Sequence, residues 1–207
     1  MNVLLINGSP NKKGCTFTAL SEIAKELEKE GIQCSFFHVG KKPIRGCTAC
    51  WKCEEKRYCV FEDDKVNECI DLIKAADGVI IGTPVYYASP NGALLALLDR
   101  VFFASGEKFA YKIGASIVNC RRSGSATAFD VLNKYFTISN MPIVSSQYWN
   151  GTHGSEPEEV MQNLEGLQVM RVLGKNMAWL LKCLDYAKGK IPLPEREAKR
   201  YWTNFIR

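Results

Sequence analysis

The chain has 207 residues, 46% hydrophobic and 24% charged, with a formal net charge of +5. One domain of this length buries roughly 70% of its unfolded surface, so the nine cysteines are not staples for a weak core, and an odd number of them fits a reducing, cytoplasmic setting. The basic pairs Lys12-Lys13, Lys41-Lys42 and Arg121-Arg122 lack interleaved aromatics, which argues against nucleic acid; no apolar run nears the roughly 20 residues that span a bilayer, and Met1 to Ile6 runs straight into a glycine turn without the basic leader expected of a signal peptide.

Strand and helix patterns alternate from the first residue. Asn2 to Asn7 reads as a buried strand ending in the turn Gly8-Ser9-Pro10. Thr16 to Lys29 carries Phe17, Leu20, Ile23, Ala24 and Leu27 at helical spacing and stops before Gly31. Ile32 to Val39 reads as a second strand, followed by a long cysteine-rich loop over about 40–63. Asp63 or Asp64 is placed to cap a helix through Val66, Ile70 and Ile73. Gly78 to Thr83 is a third strand, and Pro90 to Phe103 a helix with Pro90 in its first turn. Ile113 to Val118 is a fourth strand, Ser125 to Phe136 a helix, and Pro142 to Gln147 a fifth strand. Pro157 to Tyr186 forms a long final helical region.

Apolar strands alternating with amphipathic helices predict an α/β fold, a doubly wound five-stranded parallel sheet of order 2-1-3-4-5. Its ligand site lies outside the carboxyl ends of the strands. We expect one such domain over 1–187, with the cysteine-rich loop inserted, and a basic tail over 188–207.

Four cysteines, Cys47, Cys50, Cys53 and Cys59, fall within thirteen residues in a C-x2-C-x2-C-x5-C run. One short loop can bring such thiols to a common inorganic centre, and the spacing is like the compact runs that hold iron–sulfur clusters. Zinc more often uses two knuckles with a longer spacer, and thiols carrying no metal are the third reading. Cys34, Cys69 and Cys183 fall on predicted core faces and read as inert fillers.

The loop after the first strand, Gly8-Ser9-Pro10-Asn11-Lys12-Lys13-Gly14-Cys15-Thr16, matches neither a Walker loop nor a G-x-G-x-x-G fingerprint. It still offers the Ser9 and Thr16 hydroxyls, turn amides and the positive end of a helix. A terminal phosphate, as on FMN, suits it better than a pyrophosphate. After the third strand, Tyr86 and Tyr87 stand between Pro84 and Pro90 and can wall a flat aromatic ring. After the fourth, Arg121 and Arg122 can stabilise negative charge on the N1 and O2 edge of a reduced flavin.

With these motifs in place, GSPNKKGCT, TPVYYASPNGALLALLDR, CRRSG and MPIVSSQYWNGTHG resemble the NADPH-dependent FMN reductase group of flavodoxin-like proteins. The added cysteine run resembles its iron–sulfur flavoprotein branch. The resemblance implies that Ser9, Asn11, Lys13, Cys15, Thr16 and Phe17 surround the FMN phosphate and that Pro84, Val85, Tyr86, Tyr87 and Asn91 face the isoalloxazine. It also implies that Cys47, Cys50, Cys53 and Cys59 ligate a 4Fe–4S cluster. The chain departs from the family pattern at Asn11, where Arg is common, and at Cys15, where Asn is common. Trp149 and His153 are expected to border the cofactor pocket or that of a partner subunit.

The expectation is therefore a cytoplasmic FMN-dependent oxidoreductase passing electrons between a 4Fe–4S cluster and FMN. Ferredoxin or another redox protein would be its partner, and a homodimer or homotetramer its assembly. An NAD(P)H-dependent FMN or quinone reductase without a cluster is the nearest alternative. A non-catalytic electron carrier and a metal-binding interaction module follow.

Overall fold

In the computed structural model, residues 1–195 together with 197, 201 and 203 are described. The strands β1 (Asn2–Asn7), β2 (Gln33–His38), β3 (Gly78–Tyr86), β5 (Ile113–Cys120) and β6 (Gly151–His153) form a parallel sheet in the order β2-β1-β3-β5-β6. A two-residue strand β4 (Ser89–Pro90) pairs antiparallel with β3. The helices are α1 (Cys15–Lys29), α2 (Cys53–Lys56), α3 (Val66–Ala75), α4 (Gly92–Ser105), α5 (Ser125–Ile138), α6 (Pro157–Gln162) and α7 (Leu164–Ala187). No helix among the described residues is long and apolar enough to cross a membrane. This is the expected doubly wound, flavodoxin-like arrangement.

The two-residue period of the strands sorts the core into two layers. Leu4, Ile6, Val79 and Ile81 face one side and pack with Ile70 of α3, Leu97 and Val101 of α4 and Phe136 of α5. Val3, Leu5 and Ile80 face the other and pack with Leu20 and Ile23 of α1 and Leu173 and Met177 of α7. Since both faces are covered, the strands read as unbroken apolar runs. Helices α1 and α7 approach so closely at Gly174 that a Cβ there would lie 2.9 Å from Glu26 Cβ and 3.0 Å from the Ile23 carbonyl. The Arg171–Glu22 ion pair at 2.8 Å ties the same helices at their surface.

The fifth parallel strand is not Pro142 to Gln147. That segment makes a single bridge, Gly114 to Ile143, with bonds from Gly114 N to Pro142 O and from Val144 N to Gly114 O. Its polar continuation then turns to α7, where Ser146 Oγ donates to Val169 O and Asn176 Nδ2 donates to Ser145 O. The chain rejoins β5 at Asn150, and β6 is the result.

Pro90 is likewise not in a helix. Val85 pairs with Pro90 and Tyr86 with Ser89, around a two-residue turn in which Tyr87 and Ala88 have φ of 49° and 60°. Two positive φ values make this the turn that matches strand twist, and holding non-glycine residues there costs backbone strain. Asn91, not Pro90, caps α4. The final helical region is interrupted at Asn163, which separates α6 from α7. Cys69 is buried as expected, but Cys34 is only part-buried and Cys183 is exposed, because its position on α7 faces away from the sheet. The basic tail lies partly outside the described residues.

Candidate functional site

Parallel strands deliver their following loops to one edge of the sheet, and there a crevice of about 430 Å³ opens. Its walls come from the loop after β1 (Ser9, Asn11, Gly14, Cys15, Thr16), the end of β3 (Pro84, Val85, Tyr86), the end of β5 (Asn119, Cys120, Arg121) and residues 154–157. The site therefore brings together Ser9, Asn11, Cys15, Thr16, Pro84, Val85, Tyr86 and Arg121 of the sequence-derived set.

The remaining members of that set sit otherwise. Lys13 is exposed on the same loop, Phe17 packs its ring 5.2 Å from Phe36, and Tyr87 is fully exposed at the hairpin tip. Asn91 is buried with its carboxamide engaged at both ends: Nδ2 donates to Gly8 O at 2.7 Å, and Oδ1 accepts from Ala93 N. It ties two walls of the crevice together. Trp149 and His153 line a separate pocket with Phe129 and Tyr148, while Gly154 is the point where this segment reaches the crevice.

The first loop is held from beneath by residues that motif reading passes over. Asn7 Oδ1 accepts from Ser9 N at 3.0 Å and its Nδ2 donates to Lys12 O at 3.2 Å. Ser9 Oγ accepts from Asn11 N at 3.1 Å, leaving its own proton free to donate. His38 Nε2 lies 2.9 Å from the Ser9 carbonyl, so this nitrogen carries the proton and donates.

Helix α1 begins at Gly14 with no side-chain cap, so its first amides and its positive dipole end are available to an anion. Thr16 is 1% exposed and its Oγ1 has no partner. A buried, unpaired hydroxyl is costly unless a ligand satisfies it. The uncapped helix start, the free Ser9 proton and the orphaned Thr16 hydroxyl together fit a terminal phosphate such as that of FMN. Burial raises the Cys15 thiol above its ordinary pKa, and the charges of Glu159, Glu156 and Glu158 add to it. Cys15 is thus a neutral neighbour for an anion.

The cysteine-rich loop leaves β2 at this same edge. Cys47, Cys50, Cys53 and Cys59 all line one small recess, together with Trp51, Phe61, Arg100 and Phe103. Trp51 and Phe103 meet edge to face at 5.2 Å beside it. Ala49, Trp51 and Arg57 all have positive φ, so the loop bends sharply around its sulfurs. The Cys53 thiol is raised by burial and also by the neighbouring Cys59, Cys50 and Cys47. Cys50 is lowered, chiefly by the Lys52 backbone N–H.

Cys59 is the best anchored of the four. Asn67 clamps its backbone, accepting from Cys59 N and donating to Cys59 O, each at 2.9 Å. Arg100 donates to its sulfur from Nε at 3.2 Å and Nη2 at 3.1 Å. Four thiols in one recess beside a buried cation are a donor set suited to iron held by thiolates. Among the described residues, however, no three His, Cys, Asp or Glu side chains form a group already set to hold a metal ion.

Sequence reasoning missed Asn7, His38, Asn67 and Arg100. Arg100 alone left a signal: it falls on the apolar face of α4 with Leu97 and Val101, where a charge demands a buried partner.

Comparison with known proteins agrees with this geometry. Residues 1–156 match the NADPH-dependent FMN reductase family. An iron–sulfur flavoprotein of Methanocaldococcus jannaschii is 30% identical over 192 residues, covering 89% of this chain and 99% of its own. Another, from Methanosarcina thermophila, is 27% identical over 195 residues, covering 92% and 100%. A flavodoxin, WrbA-like protein of Agrobacterium tumefaciens superposes with a TM-score of 0.61 at 15% identity, covering 88% of this chain and 97% of its own, a likeness of fold alone. The chain belongs to the NADPH-dependent FMN reductase family, alongside the proteins named iron–sulfur flavoproteins, and is an FMN-dependent oxidoreductase.

Proposed function

We propose that the protein passes electrons between a cysteine-held 4Fe–4S cluster and FMN, with a redox protein such as ferredoxin or a nicotinamide at the other end of the chain of transfer. The carrying observation is the convergence of Cys47, Cys50, Cys53 and Cys59 on one recess, in a chain whose sheet edge also opens a crevice suited to FMN.

In this reading Ser9, Asn11, Cys15 and Thr16, with Lys13 on the same loop, bind the phosphate end of FMN, and Phe17 supports the start of α1 from behind by packing on Phe36. Ser9 and Thr16 donate hydroxyl protons, and α1 supplies backbone N–H groups. Pro84, Val85, Tyr86 and Tyr87 wall the ring, and Asn91 fixes that wall against the phosphate loop. Arg121, which lines the crevice, would oppose negative charge on the ring's pyrimidine edge. FMN when bound supplies hydride and single-electron chemistry, so the protein's task is binding, orientation and electrostatics. The reading includes a homo-oligomer acting in the cytoplasm.

A second reading rests on the absence, among the described residues, of three ligands already set for a metal. In it the protein is an NAD(P)H-dependent FMN or quinone reductase without a cluster. An absorption spectrum of anaerobically purified protein, with iron, sulfide and flavin counted on the same sample, separates the two. Flavin with about four irons per chain supports the cluster. Flavin without iron overturns it in favour of the second reading.

A further inference from the structure

Arg100 is a charged side chain in a place that favours apolar ones. Its side chain is 1% exposed and that of its partner Asp64 is 7% exposed. Taking a cation out of water costs several kcal/mol unless its donors are all used. They are used, and every partner lies within residues 45–64. Nη1 donates to Asp64 and to Arg45 O, Nη2 to Phe61 O, and both Nε and Nη2 to Cys59 Sγ. One carboxylate already balances the charge, and the Nε/Nη2 edge of the fork is given to sulfur.

We propose that Arg100 is a positioning residue for Cys59 that also stabilises the more negative redox state of the centre this sulfur helps to hold. The inference rests on the cluster reading above. Reduction adds one electron to the centre, supplied by dithionite in the test; no bond forms or breaks and no proton moves. The charge facing the guanidinium becomes more negative by one, and hydrogen bonds from an ionised donor to the sulfur strengthen. Hydrogen bonding to sulfur is one of the levers that set such potentials. Asp64 opposes the effect, because it neutralises the same cation.

The test uses the whole protein, purified without oxygen, in wild-type, Arg100→Gln, Arg100→Lys and Asp64→Asn forms. Iron, sulfide and flavin are counted, and the one-electron midpoint potential is measured by dithionite titration followed by electron paramagnetic resonance. Arg100→Gln is expected to keep its iron and to disfavour reduction about tenfold, equivalent to about 59 mV. Arg100→Lys shifts the potential less, since an ammonium keeps the charge but not the fork. Asp64→Asn shifts it the other way. A purely structural role would not give opposite signs, so shifts in the same direction, or an iron-replete Arg100→Gln at the wild-type potential, overturn the proposal. Should Arg100→Gln not hold iron, Asp64→Asn decides alone: an upward shift supports the proposal and no shift overturns it. Wild-type protein free of iron overturns the cluster reading itself, a different result from any of these.

Discussion

Asn91 and Gly8 stand 83 residues apart in the chain, and Asn91 Nδ2 donates to the Gly8 carbonyl at 2.7 Å. Alongside, Gly8 N donates to Gly82 O at 2.8 Å and Asn91 N donates to Thr83 Oγ1 at 3.0 Å. The loop after β1 and the end of β3, two walls of the crevice, are therefore locked together without help from a ligand. A site held in this way loses less conformational freedom on binding, which raises affinity without adding a contact.

Replacing Asn91 by Ala removes both this bond and the α4 cap. We expect a stability loss of about 1–3 kcal/mol in urea unfolding. Affinity for FMN, followed by quenching of flavin fluorescence, should weaken roughly tenfold, about 1.4 kcal/mol. Asn91→Ser keeps a capping oxygen and loses the donor to Gly8 without setting a charge against that carbonyl. It should recover most of the stability and little of the affinity; recovery of both would mean the Gly8 bond plays no part in binding.

Thr16→Val tests the orphaned hydroxyl. Since Oγ1 has no protein partner, its removal should leave the flavin-free protein within about 0.5 kcal/mol of wild type or slightly more stable. Affinity for FMN should fall by about 1.5–3 kcal/mol, the range for a hydrogen bond to a charged group. Unchanged flavin affinity would show that Thr16 does not meet the phosphate.

The layered sheet was legible because apolar runs and helical periods are local signals, and β1, α1, β3 and β5 all carry them strongly. The final strand was not. Pro142 to Gln147 has the apolar start of a strand, but Ser145 and Ser146 find partners in α7, and those tertiary bonds are invisible to a local pattern. Pro90 was misplaced for a related reason, since a tight turn built on Tyr87 and Ala88 lacks the usual glycine or asparagine. The residues that end in the crevice were legible where a motif pointed to them, as at Ser9, Thr16, Tyr86 and Arg121. Their supports, Asn7 through two bonds within its own loop and His38 through one bond from the neighbouring strand, leave no mark in sequence spacing.

Gly124 caps α5 with φ of 83°, and a Cβ there would lie 2.8 Å from Ala88 Cα in the tyrosine hairpin. Gly124→Ala therefore adds a backbone clash to the cost of a left-handed alanine, about 1 kcal/mol. Gly31 provides the control, because its φ is 76° but nothing lies within 4 Å of the added carbon. Gly31→Ala should cost about 1 kcal/mol, and Gly124→Ala about 1–3 kcal/mol more together with weaker flavin binding. Equal losses at the two positions would mean that the hairpin yields freely.

The Cys34 thiol predicts behaviour in alkali. Burial, followed by the charge of Glu28, pushes its pKa up from 9.0 to about 11. The folded protein therefore holds this proton more tightly than the unfolded chain. The contribution is fully present below pH 9 and declines as pH rises through about 11, where the folded thiol also ionises. The two-unit span sets a ceiling of about 2.7 kcal/mol, and the part-exposed position reduces it to about 1–2 kcal/mol. Cys69, raised by burial, and Tyr135, raised by burial and by its bond to Asp99, steepen the decline in the same direction. Urea midpoints of wild type and Cys34→Ala at pH 8, 9.5 and 11, under reducing conditions, separate the terms. The variant should start somewhat less stable, having lost packing, and then fall less steeply, so that the two curves converge by pH 11. Parallel curves would show that Cys34 ionises alike in the folded and unfolded chain.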